Sequence, residues 1–505
     1  MNITSKKGGG IMNPGITPMG KGCKLCAGCT GCMFCGPSPA ATVAAAGYLG
    51  GNMYLKILNI KAIERQKSTF LLVVENKFSK MGEDLYWIND DAFDIIMQFD
   101  GTKTKEDIVK TMCNGQSDLF DKAENNLNEF IEVLQNNYGI ILEYIDHINK
   151  IEIPVLGTGK TQYPSAISVE ITHQCNAKCL HCYGDYSCSN DFIKNTENIK
   201  KLLKEARESG TRVVEFTGGE VTCHPDFLDI LDYAYKLNYN VVSILSNGLY
   251  WREELFKLIE INREKTVVQI DLHGDNDDYV NWFMGTKINN ITDRIKETIL
   301  RIHDMNIMMR IVTMITPKNL EQLINIADWV YNAGIECYGL SSITPMGRAD
   351  LDDKYNILLK TEEDMIKCAE VVTRIKEKYG ESFLYQIKDG EPNLNNCGAF
   401  TSNPSITPNG NIKFCAMDDE TLLKSFGNVF DDNIGDIYTK KYKILNMIRE
   451  IPAPFHDSEE CKNCKNKYFC SYCIIRGLTA GKESNFKDCL WYINSVPEEF
   501  KEMVL

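Results

Sequence analysis

The sequence predicts an α/β protein built around a parallel sheet, with a smaller α+β domain before it and a cysteine-rich domain after it. Three observations carry this reading. Between residues 166 and 341, strand-like apolar runs alternate with helical stripes, which implies βαβ units. Residues 54 to about 145 mix short β-branched runs with amphipathic helical stretches. The 20 cysteines of the 505-residue chain are bunched, five of them before residue 36 and seven after residue 396.

Composition narrows the class. A hydrophobic share of 44% and a charged share of 25% are ordinary for a globular protein. The length suggests about three domains. A net charge of −14 argues against nucleic acid or an anionic membrane as partner. No amino-terminal apolar segment and no long uninterrupted apolar stretch occur, so the expected location is cytoplasmic. In that compartment clustered cysteines read as metal or redox ligands, not disulfides.

Residues 1–52 form a distinct segment. Cys23, Cys26, Cys29, Cys32 and Cys35 recur at three-residue spacing, Gly36-Pro37-Ser38-Pro39 makes a turn, and residues 40–51 are small and mildly apolar. Such spacing presents successive sulfurs along one side of a tight coil. A ferredoxin-like reading needs C-x2-C-x2-C-x3-C-P, and the last spacing fails at Cys35-Gly36-Pro37. Adventitious zinc binding and a tail without function are further options.

Residues 53–145 read as the small domain. Strands are expected at 54–58 and 69–74, and 85–89 precedes a helix starting near Asp90. Residues 100–104 read as a turn, with Thr104 capping a helix whose first turn holds Glu106 and Asp107. An amphipathic helix is expected over 123–135, and a linker over 146–164.

In the central region, 165–350, a strand at 166–172 feeds a cysteine loop, and a helix follows at 198–209 with Ile199, Leu202, Leu203 and Ala206 on one stripe. Further strands are expected at 212–216, 240–245, 267–272, 309–314 and 337–341. Ligands of such sheets bind at the carboxyl ends of the strands. Gly218-Gly219-Glu220, Ser246-Asn247-Gly248 and Asp271 fall there. The glycines permit close backbone approach, and Glu220 can accept charge-assisted hydrogen bonds from an ammonium. The bland alternative is surface turns and solvated strand ends.

The loop itself carries Cys175, Cys179 and Cys182 at CxxxCxxC spacing, followed by Tyr183. Three thiolates can hold three corners of a four-iron cluster and leave one iron open for a substrate molecule; a structural zinc loop is the rival. Strand, loop and Gly-Gly-Glu turn together resemble the radical S-adenosylmethionine (radical SAM) enzymes. The resemblance implies a partial (β/α)6 barrel. It implies that Cys175, Cys179 and Cys182 ligate the catalytic [4Fe-4S] cluster. It also places Tyr183, Gly218, Gly219, Glu220, Ser246, Asn247, Asp271 and Arg310 around SAM, with Pro345-Met346-Gly347-Arg348-Ala349 near the adenosine. The implied chemistry is reductive cleavage of SAM and hydrogen abstraction by a 5′-deoxyadenosyl radical, with an electron donor such as flavodoxin or ferredoxin.

After a helical connector at 351–388, residues 389–505 hold Cys397, Cys415, Cys461, Cys464, Cys470, Cys473 and Cys489. Their order resembles the SPASM extension, which implies two auxiliary [4Fe-4S] clusters. A zinc ribbon from the middle four leaves Cys397, Cys415 and Cys489 unexplained. By motif order, Cys461, Cys464, Cys470 and Cys489 make one complete set. Cys397, Cys415 and Cys473 make three ligands of the other, with Cys368 the nearest further candidate. The chain departs from the family in having two residues, not three, between Cys470 and Cys473.

The run from Ile88-Asn89 through Phe99-Asp100-Gly101-Thr102-Lys103-Thr104 to Ile108-Val109 resembles the RiPP recognition element, a PqqD-like winged-helix fold that binds leader peptides by strand addition. Residues 20–52 resemble a sactipeptide precursor, with a cysteine arm, a turn and an acceptor arm that includes Thr42, Tyr48 and Asn52. The whole resembles a sactisynthase of bacteriocin biosynthesis, which joins Cys sulfur to a backbone α-carbon. The implied partner is a Cys-rich precursor peptide, in cis or in trans. Thioethers at Cβ or Cγ, carbon–carbon crosslinks, formylglycine-generating sulfatase maturation and a non-catalytic electron-transfer role remain alternatives.

Overall fold

The computed structural model describes residues 16–18, 53–76, 83–335, 337–349, 353–380, 383–385, 398, 400–418, 420 and 422–504. Cys23, Cys26, Cys29, Cys32, Cys35, Thr42, Tyr48, Asn52 and Cys397 lie outside the described residues. The described residues divide into two compact units, one of residues 16–18 and 53–162 and the other from Tyr163 onward.

The first unit contains strands β1 (Ile16–Pro18), β2 (Tyr54–Ile57), β3 (Ile60–Arg65), β4 (Phe70–Glu75), β5 (Glu83–Ile88), β6 (Asp100–Thr104), β7 (Leu142–Ile145) and β8 (Val155–Leu156). Its helices are α1 (Asp90–Ile96), α2 (Lys105–Met112) and α3 (Phe120–Tyr138). One sheet runs β1-β5-β4-β3-β8 and the other β6-β2-β7. Leu55, Ile63, Leu72, Ile95, Ile108, Leu127 and Leu134 form the core between sheets and helices, all fully buried. Removal of such side chains from water is the main force holding this small unit.

Two local expectations changed. Residues 100–104 form a strand, not a turn: Tyr54 pairs with Thr104 and Lys56 with Asp100. The Asp-Gly turn preference loses to the backbone needs of β2, which would otherwise have an open edge. Thr104 still caps α2 through a reciprocal box with Asp107. The stretch read as a linker contains β8, which pairs in parallel with β3.

The second unit is built on strands β9 (Ala166–Thr172), β10 (Val213–Gly218), β11 (Val241–Ser246), β12 (Thr266–Asp271), β13 (Met308–Ile315), β14 (Tyr338–Ser342) and β15 (Leu384–Tyr385), all parallel and adjacent in chain order. Helices α4 (Thr196–Ser209), α5 (Phe227–Lys236), α6 (Glu253–Ile261), α7 (Asp277–Met284), α8 (Ile291–Asp304) and α9 (Gln322–Asn332) fall between successive strands up to β14. The strands are near-continuous apolar runs because both faces are covered. A short hairpin, β16 (Ser405–Ile406) and β17 (Ile412–Lys413), extends the sheet, with β16 lying parallel to β9. The SPASM-like segment thus continues the barrel sheet beside the strand that launches the cysteine loop.

Candidate active site

The cysteine loop leaves β9 at Thr172. Cys182 raises the thiols of Cys175 and Cys179, and Cys175 also raises Cys179, so the three thiols share one electrostatic neighbourhood. Burial is the larger cause; it pushes Cys175 to about 12 and raises Cys179 well above the ordinary thiol value. A buried thiolate is costly without a compensating cation. Backbone N–H groups already point at sulfur: Ala177 N lies 3.5 Å from Cys175 Sγ and Tyr186 N 3.3 Å from Cys182 Sγ. Buried thiols with amide donors aimed at sulfur suit an iron–sulfur cluster.

Gly218 and Gly219 wedge the next loop against this one. Gly218 has φ +124°, and a Cβ on Gly219 would run into the carbonyl oxygen of Gln174. The approach is fixed by Gly219 N donating to Thr172 O at 2.7 Å and Glu220 N to Gln174 O at 2.9 Å. Glu220 is 1% exposed. Its Oε1 accepts from Thr222 N, Thr222 Oγ1 and Ser246 Oγ, and its Oε2 accepts from Asn247 N at 2.8 Å. The carboxylate therefore spends most of its capacity tying the Gly-Gly-Glu turn to the Ser-Asn-Gly turn, and Oε2 retains room for a further donor such as an ammonium. Asn247 Nδ2 in turn donates to Asn176 Oδ1 in the cysteine loop at 2.7 Å. Ser246 Oγ accepts from Trp251 Nε1 at 2.9 Å.

At the end of β12, Asp271 Oδ1 accepts from Gln269 Nε2 at 3.0 Å, and Gln269 also takes a hydrogen bond from Arg310. Asp271 is close enough to Cys179 to raise its pKa. Tyr183 packs edge-on to Tyr186, and the Lys413 ammonium lies 5.9 Å from its ring centre. The structure thus gathers Cys175, Cys179, Gly218, Gly219, Glu220, Ser246, Asn247 and Asp271 at the carboxyl ends of β9 to β12.

The Pro345–Ala349 motif folds back on the cysteine loop. Arg348 donates from Nη1 to Cys179 O at 2.6 Å and from Nη2 to Tyr186 O at 2.9 Å, and its backbone N donates to Cys182 O at 2.9 Å. It also pairs with Asp185 at 2.6 Å. Gly347 has φ +60°, and a Cβ there would collide with Tyr183 O.

Sequence reasoning passed over Glu170, Lys413, His181 and His273. His181 and His273 pack edge-on at 5.0 Å, and burial pushes each to about 3, so both imidazoles are neutral. A glutamate inside an otherwise apolar strand was the available signal for Glu170.

In the carboxyl-terminal domain, Cys461, Cys464 and Cys489 each raise the Cys470 thiol, which burial carries to about 12. These are the four residues expected to form one complete cluster set. Asn466 N lies 3.4 Å from Cys464 Sγ. Cys415 is buried, and Cys473 Sγ accepts from Arg476 N at 3.5 Å. Cys368 lies on the helix Glu362–Tyr379, half-buried, with burial alone raising its thiol.

A three-cysteine loop at the carboxyl rim of a parallel sheet, with four further cysteines downstream, suits iron–sulfur chemistry. The radical SAM superfamily matches residues 169–330, and the SPASM iron–sulfur cluster-binding domain matches 397–465. The chain thus carries a radical SAM domain and a SPASM domain, and the cofactors of these domains are SAM and [4Fe-4S] clusters, auxiliary ones included. It is 26% identical over 426 residues to the antilisterial bacteriocin subtilosin biosynthesis protein AlbA of Bacillus subtilis, covering 83% of this chain and 90% of that one. A probable GTP 3′,8-cyclase of Sulfurisphaera tokodaii is 27% identical over 205 residues, 40% of this chain and 63% of that protein. The crystal structure of Streptococcus suis SuiB bound to S-adenosylmethionine shares the fold, with TM-score 0.54 at 16% identity over 84% of this chain and 96% of that one. Among the described residues, no helix is long and apolar enough to cross a membrane.

Proposed function

We propose that this enzyme installs thioether crosslinks between Cys sulfurs and backbone α-carbons of a Cys-rich ribosomal peptide. The observation that carries the reading is the likeness to a bacteriocin biosynthesis protein over 83% of the chain, joined to a sequence with five cysteines at period three. When bound, SAM and its cluster supply a 5′-deoxyadenosyl radical; net, SAM gives methionine and 5′-deoxyadenosine, the peptide loses one Cα hydrogen and one thiol proton, a carbon–sulfur bond forms, and the electron that cleaved SAM is returned.

Each group of residues has its task. Cys175, Cys179 and Cys182 hold the catalytic cluster. Gly218, Gly219 and Glu220 receive the methionine end of SAM, while Ser246 and Asn247 lock that turn to the cysteine loop. Asp271 and Arg310 flank the nucleoside side, and Tyr183 lines the loop. Cys461, Cys464, Cys470 and Cys489 hold one auxiliary cluster, and Cys397, Cys415 and Cys473 contribute to the other. Residues 53–145 act as the recognition element, and Cys23, Cys26, Cys29, Cys32 and Cys35 are the sulfur donors. A flavodoxin or ferredoxin in the cytoplasm supplies the electron.

Anaerobic incubation of the cluster-loaded chain with SAM and dithionite tests this. The expected result is loss of two hydrogens per thioether within residues 1–52, with one 5′-deoxyadenosine formed per crosslink. Tandem mass spectrometry places the new bond at Cα. An unchanged peptide mass alongside SAM cleavage would refute crosslinking.

A further inference from the structure

We infer that this chain is its own substrate: β1 is a built-in docking strand that delivers the cysteines of residues 19–52 for modification by the chain that bears them. The inference rests on the thioether reading above and specifies where its substrate comes from.

The carrying observation is a strand pairing. Ile16, Thr17 and Pro18 pair antiparallel with Ile88, Trp87 and Tyr86 of β5. Strand β5 is the outermost strand of the recognition unit's own meander, since its other side is taken by β4. Without β1, its outer backbone edge would be an open template for another strand. The amino-terminal segment therefore occupies the position where a peptide adds to such a sheet. All six residues of β5 are buried, Glu83 and Asp84 among them.

The sequence around β1 has the form of a short docking strand followed by cargo. Ile16 and Thr17 are β-branched and suit a strand, and Pro18 lacks the N–H needed to prolong pairing, as at strand ends. Cys23 comes five residues later and Cys35 seventeen. Charge agrees: residues 1–52 hold Lys6, Lys7, Lys21 and Lys24 and no acidic residue, in a chain of net charge −14. Glu83 and Asp84 lie on β5, where Lys61 pairs with Glu83 at 3.4 Å, and Asp90 and Asp91 lie just beyond it.

Tethering makes the cis route dominant. Every one of the five cysteines lies between β1 and β2, two strands of the same unit. A tether of this length gives an effective concentration on the order of millimolar. A leader on a second chain at micromolar concentration competes at a disadvantage of about a thousandfold for the same edge. Each chain then has a finite task, at most one thioether per cysteine.

Two measurements on the full, cluster-loaded chain test this. In the first, active chain is mixed with 15N-labelled Cys175→Ala chain, which lacks the catalytic cluster but keeps its amino-terminal segment. The expected result is hydrogen loss from the unlabelled chain alone, at a rate unaffected by dilution. Equal modification of the labelled chain would overturn the inference. In the second, Ile16→Pro and Thr17→Pro are combined. Neighbouring residues of a strand send their amides to opposite sides, so the pair removes whichever N–H faces β5. The expected result is faster amide exchange across residues 83–88 and a drop of about tenfold or more in thioether formation, with SAM cleavage retained. Unchanged exchange, or thioether formation at the full rate, would overturn it. If SAM is cleaved and no chain loses hydrogen, the thioether reading fails instead, and the exchange measurement still decides whether β1 docks.

Discussion

The Glu170 carboxylate and the Lys413 ammonium lie 2.7 Å apart with both side chains almost wholly buried. Glu170 sits on β9, five residues before the first cluster cysteine, and Lys413 on β17, two before Cys415. The pair therefore joins the strand that leads into the Cys175–Cys182 loop to the strand that leads into Cys415. Glu170 Oε2 also lies 3.0 Å from both His173 Nε2 and the Tyr186 hydroxyl. The ring of His173 stacks on Tyr186 at 4.6 Å, so one carboxylate fixes both ends of the loop.

Lys413→Met leaves that carboxylate buried without a counter-charge. The expected loss is about 3–5 kcal/mol, because the desolvation cost remains while the attraction is gone. Adding Glu170→Leu should restore much of it, since an apolar pair of similar volume carries no such penalty. Anaerobic urea denaturation of the single and double variants checks this; equal destabilisation in both would refute the charge argument.

Acid should act through the same pair. Burial pushes Glu170 up, but the Lys413 charge and the hydrogen bonds from His173 and Lys413 outweigh it and hold the carboxyl at about 2, below its ordinary 4.5. A depressed carboxyl pKa contributes stability that is fully present above the unfolded value. That contribution is lost as pH falls from about 4.5 toward about 2. Wild-type denaturation midpoints should therefore fall through this window more steeply than those of the Glu170→Leu/Lys413→Met variant. Parallel curves would remove Glu170 as a cause.

Strands β9 to β14 were legible because each is a largely apolar run of five to eight residues closed by a polar turn, as at Val241–Ser246. Their order followed from βαβ logic. The catalytic loop was legible from three cysteines, since cluster ligands cannot be replaced by other residue types without loss of chemistry. Two things were not. Strand β6 looked like a turn because Asp100-Gly101 is a local signal, whereas its pairing with β2 is fixed by residues more than forty positions away. The hold of Arg348 on the cysteine loop was not legible because a motif's order along the chain does not say which loop it folds back on.

Arg348 supplies the next prediction. Its guanidinium holds Cys179 O and Tyr186 O, and the positive charge lowers the pKa of the cluster thiols. Arg348→Lys keeps the charge but loses the fork that reaches two carbonyls at once. Each lost bond to a charged donor costs about 1.5–3 kcal/mol of loop order. Iron should leave the catalytic site faster under chelator challenge in Arg348→Lys, and faster again in Arg348→Met. Equal rates in wild type and both variants would show that the loop keeps its shape without the brace.

The downstream cysteine quartet predicts a separable loss. Cys461, Cys464 and Cys489 lie close enough to Cys470 to raise its thiol, in keeping with the proposal that these four serve one cluster. Cys470→Ala should lower iron by about four of about twelve per chain and leave the signal of the SAM-bound catalytic cluster intact. SAM cleavage should persist, because Cys175, Cys179 and Cys182 are untouched. Crosslinking should fall, because the electron released as the carbon–sulfur bond forms loses one of its acceptors. Cleavage that continues while crosslinking stops would separate the two halves of the reaction. Full crosslinking in this variant would mean that the quartet has no part in the chemistry and serves only to hold the carboxyl-terminal domain together.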